Sequence, residues 1–341
     1  MYEKSDDFVV EKARKHEWCL CLFFSVDLEN ATNYKHMMRA RQQQDGWTAD
    51  NDWCAVFNRF YEEFPRDFRR HCPVFSEHNE SDGICRAYAP VLWKFAGDEI
   101  LFYAPLTDFR QTLGHVDAFA QTVINFNKTF IKKGIDLRCK GTAWVAGFPM
   151  NNRVVWVPRE DRNQPLLIDF IGSSIDTGFR LAKFSSSRRL VVSLDLLWML
   201  AISGQRCRHI NRFGWLRYKF HGEHELKGVL DSKPYPIFWV DLEYRDVDLW
   251  RVPPEISFDD IISFCKDFAE STPNNAFIRP FLVGDPDDEL AEVPSHFEKQ
   301  HNLLLAYLAL VQDSRKHTDA PQASDSSLRL PDNALMLSTI K

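Results

Sequence analysis

The sequence predicts an α+β fold in which a mostly antiparallel sheet is flanked by helices. Up to about residue 246, strand-like and helix-like segments follow one another in the order β-α-α-β-β-α-β-α-β-β-β. This order differs from the regular strand–helix alternation of a doubly wound parallel fold, and it favours strands that pair with their neighbours in sequence. After Pro253, two amphipathic segments, roughly 257–271 and 294–313, predict a C-terminal helical extension.

The first half of the chain supplies a buried strand and two helices. Residues 18–26 (WCLCLFFSV) predict a fully buried strand because they are apolar throughout, and Asp27 follows them directly. Residues 31–44 have the composition of a helix. In 50–70, aromatic residues recur at helical spacing, which is more typical of a core helix than of a cofactor site.

A hairpin, a long helix and a strand–turn–helix unit follow. In 86–105, two apolar runs are separated by an Ala-Gly-Asp turn that ends at Asp98, which predicts a β-hairpin. Residues 108–134 have the period of an amphipathic helix, and 137–148 predict a strand. After a polar loop, 166–184 predict a short strand, a glycine turn and a helix. Three further strand-like runs are 189–200, 215–229 and 235–244.

Composition and charge narrow the class of protein. The 341 residues are 45% hydrophobic, so the chain can bury a large core, and its net charge of −6 gives no bias toward nucleic acid. The amino terminus lacks the apolar core of a signal peptide, and no apolar run reaches the roughly 18 residues of a membrane span. The eight cysteines are scattered without a CxxC pair. We therefore expect a cytoplasmic protein with free thiols and neither a membrane nor a nucleic-acid partner.

Two aspartates at strand ends are candidate metal ligands. Asp27 follows a buried strand and Asp98 lies in a hairpin turn, so a rigid sheet could hold the two carboxylates a few ångströms apart. Mg²⁺ and Mn²⁺ prefer such oxygen ligands together with substrate phosphates, and a metal pair can activate an attacking oxygen. Taken singly, each aspartate is better interpreted as a helix cap or a turn residue.

Four short segments resemble, in order, the motifs of class III nucleotidyl cyclases. Residues 27–32 (DLENAT) resemble the first metal motif, and 94–99 (KFAGDE) resemble the second, a hairpin with Gly-Asp at its tip. Residues 169–180 (DFIGSSIDTGFR) are similar to the segment that carries an asparagine and, four residues later, an arginine. Residues 225–228 (ELKG) resemble the loop whose lysine meets the triphosphate. The ordered set, between residue 18 and about 245, is much more specific than any single motif.

The resemblance implies a class III cyclase-like fold of the ferredoxin-like or palm type and a homodimeric two-metal enzyme. It also implies that the metal aspartates and the arginine segment lie on opposite faces of the dimer cleft, so that each site takes its arginine from the partner chain. The implied site residues are Asp27, Asp98 and the backbone carbonyl of Leu28 for two divalent cations, Mn²⁺ or Mg²⁺; Arg180 and Asp176 for catalysis; and Thr32, Lys94, Asp169 and Lys227 for substrate binding.

The resemblance also gives the expected domain organisation. An N-terminal segment (1–17) precedes a cyclase catalytic domain (18–250). The helical extension (251–317) follows, and the Ser/Asp/Pro-rich residues 318–341 are expected to form a mobile tail.

The sequence departs from the common family pattern at two places. The first metal loop lacks the usual glycine, so the backbone must approach the phosphates by another route. Asp176 stands where many members have asparagine, and an ionised carboxylate cannot donate a hydrogen bond, so Asp176 is expected to orient Arg180 or the ribose. The Arg180 guanidinium is suited to the charge that grows on the phosphate oxygens. The alternative interpretation is a surface ion pair between these i,i+4 neighbours, and for Lys227 it is a solvated lysine.

The segments 24–32, 94–99 and 175–183 look most similar to the pyrimidine cyclases of bacterial anti-phage (Pycsar) defence. This resemblance implies conversion of UTP to cyclic UMP as a signal to a separate effector, with CTP second and ATP third as substrates. Lys94 and Asp169 match adenine-reading positions of ATP-using members, but lysine and aspartate could equally read uracil. Trp93 and the insertion 40–85 could narrow a purine pocket.

Alternatives from other classes stay open. An inactive cyclase-like binding module would have no chemical need for both Asp27 and Asp98. A diguanylate-type enzyme would be expected to carry a GG[DE][DE]F-like turn, which 96–100 is not. A protein-interaction domain could be built on the two C-terminal helices.

Overall fold

The computed structural model describes residues 5–49, 51–72, 89–157, 167–207, 213–242, 256–273, 276–285 and 288–318. The chain divides into two compact units, Met1–Pro294 and Ser295–Lys341. The described helices are α1 (Ser5–Arg14), α2 (Ala31–Asp45), α3 (Trp53–His71), α4 (Gln111–Lys132), α5 (Ser173–Leu181), α6 (Leu194–Arg206), α7 (Phe258–Ser271), α8 (Asp288–Ala291) and, in the second unit, α9 (Ser295–Thr318). The described strands are β1 (Cys19–Glu29), β2 (Val91–Ala96), β3 (Glu99–Leu106), β4 (Arg138–Phe148), β5 (Asn152–Val157), β6 (Leu167–Gly172), β7 (Arg189–Val192), β8 (Tyr218–His224) and β9 (Tyr235–Asp241).

Seven strands of the first unit form one mixed sheet in the order β2-β3-β1-β4-β7-β9-β8. All neighbours are antiparallel except β4 and β7, which are parallel. Strands β5 and β6 form a separate antiparallel pair. The predicted α+β fold with a mostly antiparallel sheet flanked by helices is therefore confirmed.

The two faces of the sheet carry two different cores. On β1, the even-numbered Leu22 and Phe24 belong to a large core shared with α3, α4 and α6. The odd-numbered Cys21 and Phe23 belong to a smaller core shared with α5 and β6. Because side chains alternate along a strand, Asp27 points to the face of the smaller core.

Most predicted elements are confirmed, and two are wrong. The run 189–200 is not one strand, because β7 ends at Val192 and α6 begins at Leu194. Nearly every residue of α6 is buried, so its sequence lacks the polar face that would indicate a helix. The polar loop predicted after 148 contains β5, which is completed by pairing with β6.

Strand β1 is longer than predicted at its carboxyl end. Asp27 does not follow the strand but lies within it, since pairing with β4 continues to Glu29.

At the amino terminus, segment 1–17 contains helix α1. The predicted tail beyond Thr318 lies outside the described residues. Within the described part of the chain, no helix combines the length and the apolar composition that a membrane crossing requires.

Candidate active site

Asp27 is the middle residue of a row of three that runs across strands β3, β1 and β4. It is in register with Glu99 on β3 and with Lys140 on β4. The Lys140 Nζ atom lies 3.0 Å from Asp27 Oδ2, and both side chains are only partly exposed. One ammonium group therefore balances the charge of the Asp27 carboxylate.

Glu99 adds a second carboxylate to this row and brings Asp98 next to it. The Ser25 hydroxyl, one pleat along β1, donates a hydrogen bond to the Glu99 carboxylate. Burial raises the pKa of Glu99 above its ordinary value, the Ser25 bond opposes that rise, and the charges of Asp27 and Asp98 add to it. Both predicted aspartates thus neighbour Glu99, Asp27 as its partner on β1 and Asp98 as the preceding residue in the chain.

Asp98 lies in the turn between β2 and β3, and a helix outside the sheet contacts that turn. Gly97 adopts a φ of 69°, the left-handed conformation that glycine tolerates. The Tyr61 hydroxyl of α3 donates a hydrogen bond to the Gly97 carbonyl oxygen. Burial and then the Asp98 charge raise the pKa of Tyr61, so its hydroxyl keeps the proton that it donates.

The donor set around Asp27 and Asp98 suits a hard cation that also binds a substrate. Among the residues that the structure describes, no group of three or more His, Cys, Asp or Glu side chains could hold a metal by itself. Mg²⁺ and Mn²⁺ are usually held by one or two carboxylates together with phosphates, so two aspartates satisfy this requirement. Leu28, whose backbone carbonyl is the third predicted ligand, lies beyond the last β1–β3 pair, Asp27–Glu99.

Thr32 is exposed in the first turn of α2, which follows strand β1 and Asp27. The loop before it contains no glycine, and Asn30 takes the left-handed conformation with a φ of 68°. The Asn30 amide donates to Asp136 Oδ2 at 3.1 Å, which anchors this conformation. Asparagine therefore provides the turn that glycine provides in the common family pattern.

Lys94 and Asp169, predicted as the base-reading pair, are in direct contact. Lys94 Nζ lies 2.8 Å from Asp169 Oδ1, and it also lies 4.2 Å from the centroid of the Trp93 ring. The two side chains are 41% and 47% exposed, respectively. An exposed ion pair of this kind is weak, so a ligand can break it and bind to both groups.

Arg180 carries a buried donor without an acceptor. Its Nε atom is buried and has no hydrogen-bond partner in the structure. Asp176 is exposed, and these two described residues form no ion pair with each other, so the surface ion pair considered from their spacing is absent.

Helix α5 is held close to β4 because Gly178 lies against Trp144; a Cβ added at Gly178 would lie 2.2 Å from the Trp144 ring.

Lys227 is not brought near the other predicted site residues by the fold of one chain. It lies exposed in the turn after β8, next to Gly228 with a φ of 73°. Strand β8 is one edge of the sheet, and the β2–β3 hairpin with Asp98 forms the other edge.

Three residues of the site were missed from the sequence: Lys140, Glu99 and Tyr61. Lys140 is one of two cations, with Arg138, at the start of an otherwise apolar strand run, and its pairing with Asp27 depends on the strand register. Tyr61 lies in a helix that was interpreted only as core.

No protein-family model matches the chain, and no curated protein matches it. Among solved structures, the adenylyl cyclase CyaB from P. aeruginosa is 13% identical, with a TM-score of 0.43, over 68% of this chain and 98% of that one. The guanylate cyclase domain of RhGC from Catenaria anguillulae, in complex with GTP, is 15% identical, with a TM-score of 0.41, over 65% and 96%. The guanylyl cyclase Cya2 is 13% identical, with a TM-score of 0.37, over 70% and 98%. Because these sequence identities and TM-scores are low, the likenesses carry no conclusion about the function of this chain.

Proposed function

We propose that the protein is a nucleotide cyclase, which converts a nucleoside triphosphate into a 3′,5′-cyclic monophosphate and pyrophosphate. The 3′ oxygen of the ribose attacks the α-phosphorus, the bond from that phosphorus to the bridging oxygen breaks, and the hydroxyl proton passes to solvent. The observation that carries the proposal is the pairing of Asp27 on β1 with Glu99, the residue directly after Asp98, together with the contact of Lys140 with Asp27.

The metal half of the site consists of Asp27, Asp98 and the carbonyl of Leu28, which would hold Mn²⁺ or Mg²⁺. When bound, the two cations would activate the 3′ oxygen and neutralise the leaving pyrophosphate. Lys140 holds the Asp27 carboxylate in place, and its ammonium group can turn to a phosphate oxygen. Thr32, at the start of α2, presents a hydroxyl and backbone N–H groups to the phosphates.

The second half of the site consists of Arg180, Asp176 and Lys227. The unpartnered Arg180 Nε is costly to bury, and a phosphate oxygen would satisfy it. A guanidinium can stabilise the charge that develops on the bridging and leaving oxygens. Asp176, exposed one turn earlier on the same helix, would orient Arg180 or the ribose once substrate is bound, and Lys227 would meet the triphosphate.

A homodimer with two composite sites fits these two halves. Four apolar side chains are 38–54% exposed on the elements around the Lys94–Asp169 pair and Arg180. They are Phe95, Val155, Ile171 and Phe179. A second copy that covered them would bring its own Asp27 and Asp98 to this Arg180, and two-fold symmetry would make both sites equivalent.

UTP is the proposed substrate, with CTP second and ATP third. The Lys94 ammonium donates to a carbonyl oxygen and the Asp169 carboxylate accepts from an N–H, which matches the 4-oxo and N3–H groups of uracil. Trp93 packs against Phe170 and Phe179, at 5.1 and 6.1 Å between ring centroids, and so limits the room for a purine. The cyclic product would act in the cytoplasm on a separate effector, as in anti-phage defence.

A second candidate is a nucleotide-binding module without turnover. The Asp27–Lys140 ion pair favours it, because an ammonium group already occupies one side of the carboxylate. Such a module would bind a triphosphate and release no pyrophosphate.

The deciding experiment incubates the purified protein with an equal mixture of four nucleoside triphosphates and Mn²⁺. We expect pyrophosphate and cyclic UMP in equal amounts. Dominant cyclic AMP would refute the pyrimidine assignment, dominant cyclic CMP would correct only the base, and bound triphosphate without pyrophosphate would establish the second candidate.

A further inference from the structure

Helix α3 belongs to the insertion 40–85, and none of the four cyclase-like motifs lies in it. It nevertheless reaches the turn that carries Asp98. The Tyr61 hydroxyl donates its hydrogen bond to the carbonyl oxygen of Gly97, the residue directly before Asp98. The contact therefore acts on the backbone of a proposed metal ligand.

The Tyr61 ring contacts the same hairpin a second time. Its centroid lies 5.1 Å from that of Phe95, at an interplanar angle of 63°. This edge-to-face arrangement is favourable for two aromatic rings. Hydroxyl and ring together hold the last residues of β2 and the turn.

Helix α3 is a rigid support for this contact. Its apolar residues Phe57, Phe60, Phe64 and Phe68 are buried in the large core, at helical spacing. Its amino end is capped, because the Asp52 side chain accepts a hydrogen bond from the amide of Cys54. Tyr61 therefore projects from a fixed backbone.

The turn itself has little other support. Among the described residues, and apart from the two neighbours of Gly97 in the chain, no atom lies within 4 Å of the position that a Gly97 Cβ would occupy. The register of β2 with β3 shifts between Leu92 and Lys94, which weakens the ladder that leads to the turn. A carboxylate on an unsupported hairpin tip would sample several positions, and a metal site needs one.

We propose that Tyr61 is a positioning residue of the metal site: it fixes the Gly97–Asp98 turn so that the Asp98 carboxylate is held opposite Asp27. This inference rests on the proposed function, because it assigns the insertion helix a role in that same site. Tyr61 touches neither substrate nor metal and acts through Asp98.

The test compares Tyr61→Phe, which removes only the hydroxyl, with wild type. Binding of Mn²⁺ is measured from the free-ion electron paramagnetic resonance signal, in the presence of 3′-deoxy-UTP, which cannot cyclise. We expect the Mn²⁺ dissociation constant to rise about fivefold, the size expected for loss of one hydrogen bond. Because the reacting groups stay intact, saturating Mn²⁺ should restore turnover of UTP to at least about half of the wild-type rate.

Tyr218→Phe is the matched control. The Tyr218 hydroxyl is buried without a hydrogen-bond partner and lies on β8, at the opposite edge of the sheet. Its removal should leave Mn²⁺ binding unchanged. Unfolding midpoints of both variants show whether the fold is kept.

Two outcomes overturn the inference, and they are distinguishable. If wild type binds Mn²⁺ with the analogue and Tyr61→Phe binds it equally well, Tyr61 does not position Asp98. The same holds if lost turnover is not restored by saturating Mn²⁺, since the defect is then one of general structure. If wild type binds no Mn²⁺ with the 3′-deoxy analogue of any of the four nucleoside triphosphates, the proposed function itself fails, whereas binding with another base corrects only the base.

Discussion

At the residue scale, the carboxylates of Asp27 and Asp98 lie in different surroundings. Asp27 is held within the sheet between Lys140 and Glu99, whereas Asp98 lies in a turn supported by Tyr61. Replacing either aspartate removes one proposed metal ligand without opening a cavity in the core.

We therefore expect Asp27→Ala and Asp98→Ala each to lower pyrophosphate release by about 100-fold or more, as when one charge-stabilising group is lost from a site. Initial rates with UTP and Mn²⁺ measure this, and circular dichroism checks the fold. Asp267→Ala, at an exposed position on α7, is the control and should keep full activity. Full activity in a folded double variant would contradict the metal assignment.

Gly178 is the residue whose substitution should disturb Arg180 without touching it. An alanine Cβ at this position would lie 2.2 Å from the Trp144 ring, and Trp144 is fully buried, so helix α5 must shift. We expect Gly178→Ala to lower the free energy of unfolding by about 1–3 kcal/mol, the range for overpacking, and to reduce turnover.

Gly147→Ala provides the matched comparison for Gly178→Ala. It makes the same change on strand β4, where the nearest atom to an added Cβ is 3.8 Å away. Urea unfolding should find Gly147→Ala within about 0.5 kcal/mol of wild type. Equal stability of the two variants would mean that α5 is not closely packed on the sheet.

At the element scale, the segment that contains Asp285 is hydrogen-bonded to the residues just before α4. The backbone amide of Phe109 donates to Asp285 Oδ2 at 2.7 Å, and Asp285 is only 7% exposed. Burial raises the pKa of Asp285 from 3.8 to about 6, and the amide hydrogen bond opposes the rise. A carboxyl group with a raised folded-state pKa stabilises the fold fully below its unfolded pKa, and that stability is lost as the pH rises through about 6.

Asp285→Asn should therefore flatten the pH dependence of stability. We expect the free energy of unfolding of wild type to decrease between about pH 4 and about pH 7. In the variant, this decrease should be smaller by up to about 3 kcal/mol. Urea titrations at the two pH values measure it. Burial also raises the pKa of Asp195 to about 6, and the contribution of Asp195 to the pH dependence is the same in wild type and in the variant. Identical slopes would show that Asp285 does not titrate in this range.

Elements with a sequence period of their own could be predicted, and those defined by pairing could not. The aromatic spacing of α3 and the Gly-Asp turn after β2 are visible in the sequence alone. Helix α6 is buried on all sides and so resembles a strand, and β5 is a short segment (NRVVWV) that is completed by pairing with β6. Lys140 and Glu99 join the site through register, which a single strand does not encode.

At the scale of the whole molecule, the proposed active site would consist of two halves. Asp27 and Asp98 would form the metal half, and the other half would be Arg180, Asp176 and Lys227 beside the Lys94–Asp169 pair. The exposed apolar side chains around the second half and the unpartnered Arg180 Nε are both costly in an isolated chain. In a homodimer, the metal half of each chain would face the Arg180 half of its partner. This arrangement would cover the apolar side chains and would give Arg180 Nε an acceptor when substrate is bound.

Mixing two inactive variants tests this assembly. Asp27→Ala lacks the metal half and Arg180→Ala lacks the other half, so neither homodimer has a complete site. When equal amounts exchange at random, half of the dimers are mixed, and each mixed dimer has one complete site. We therefore expect the mixture to recover about a quarter of the wild-type rate. Pyrophosphate release measures the recovery, and chains labelled with a fluorescent donor and acceptor confirm exchange. If exchange is complete and no activity returns, Arg180 acts within its own chain and the shared-site arrangement is wrong.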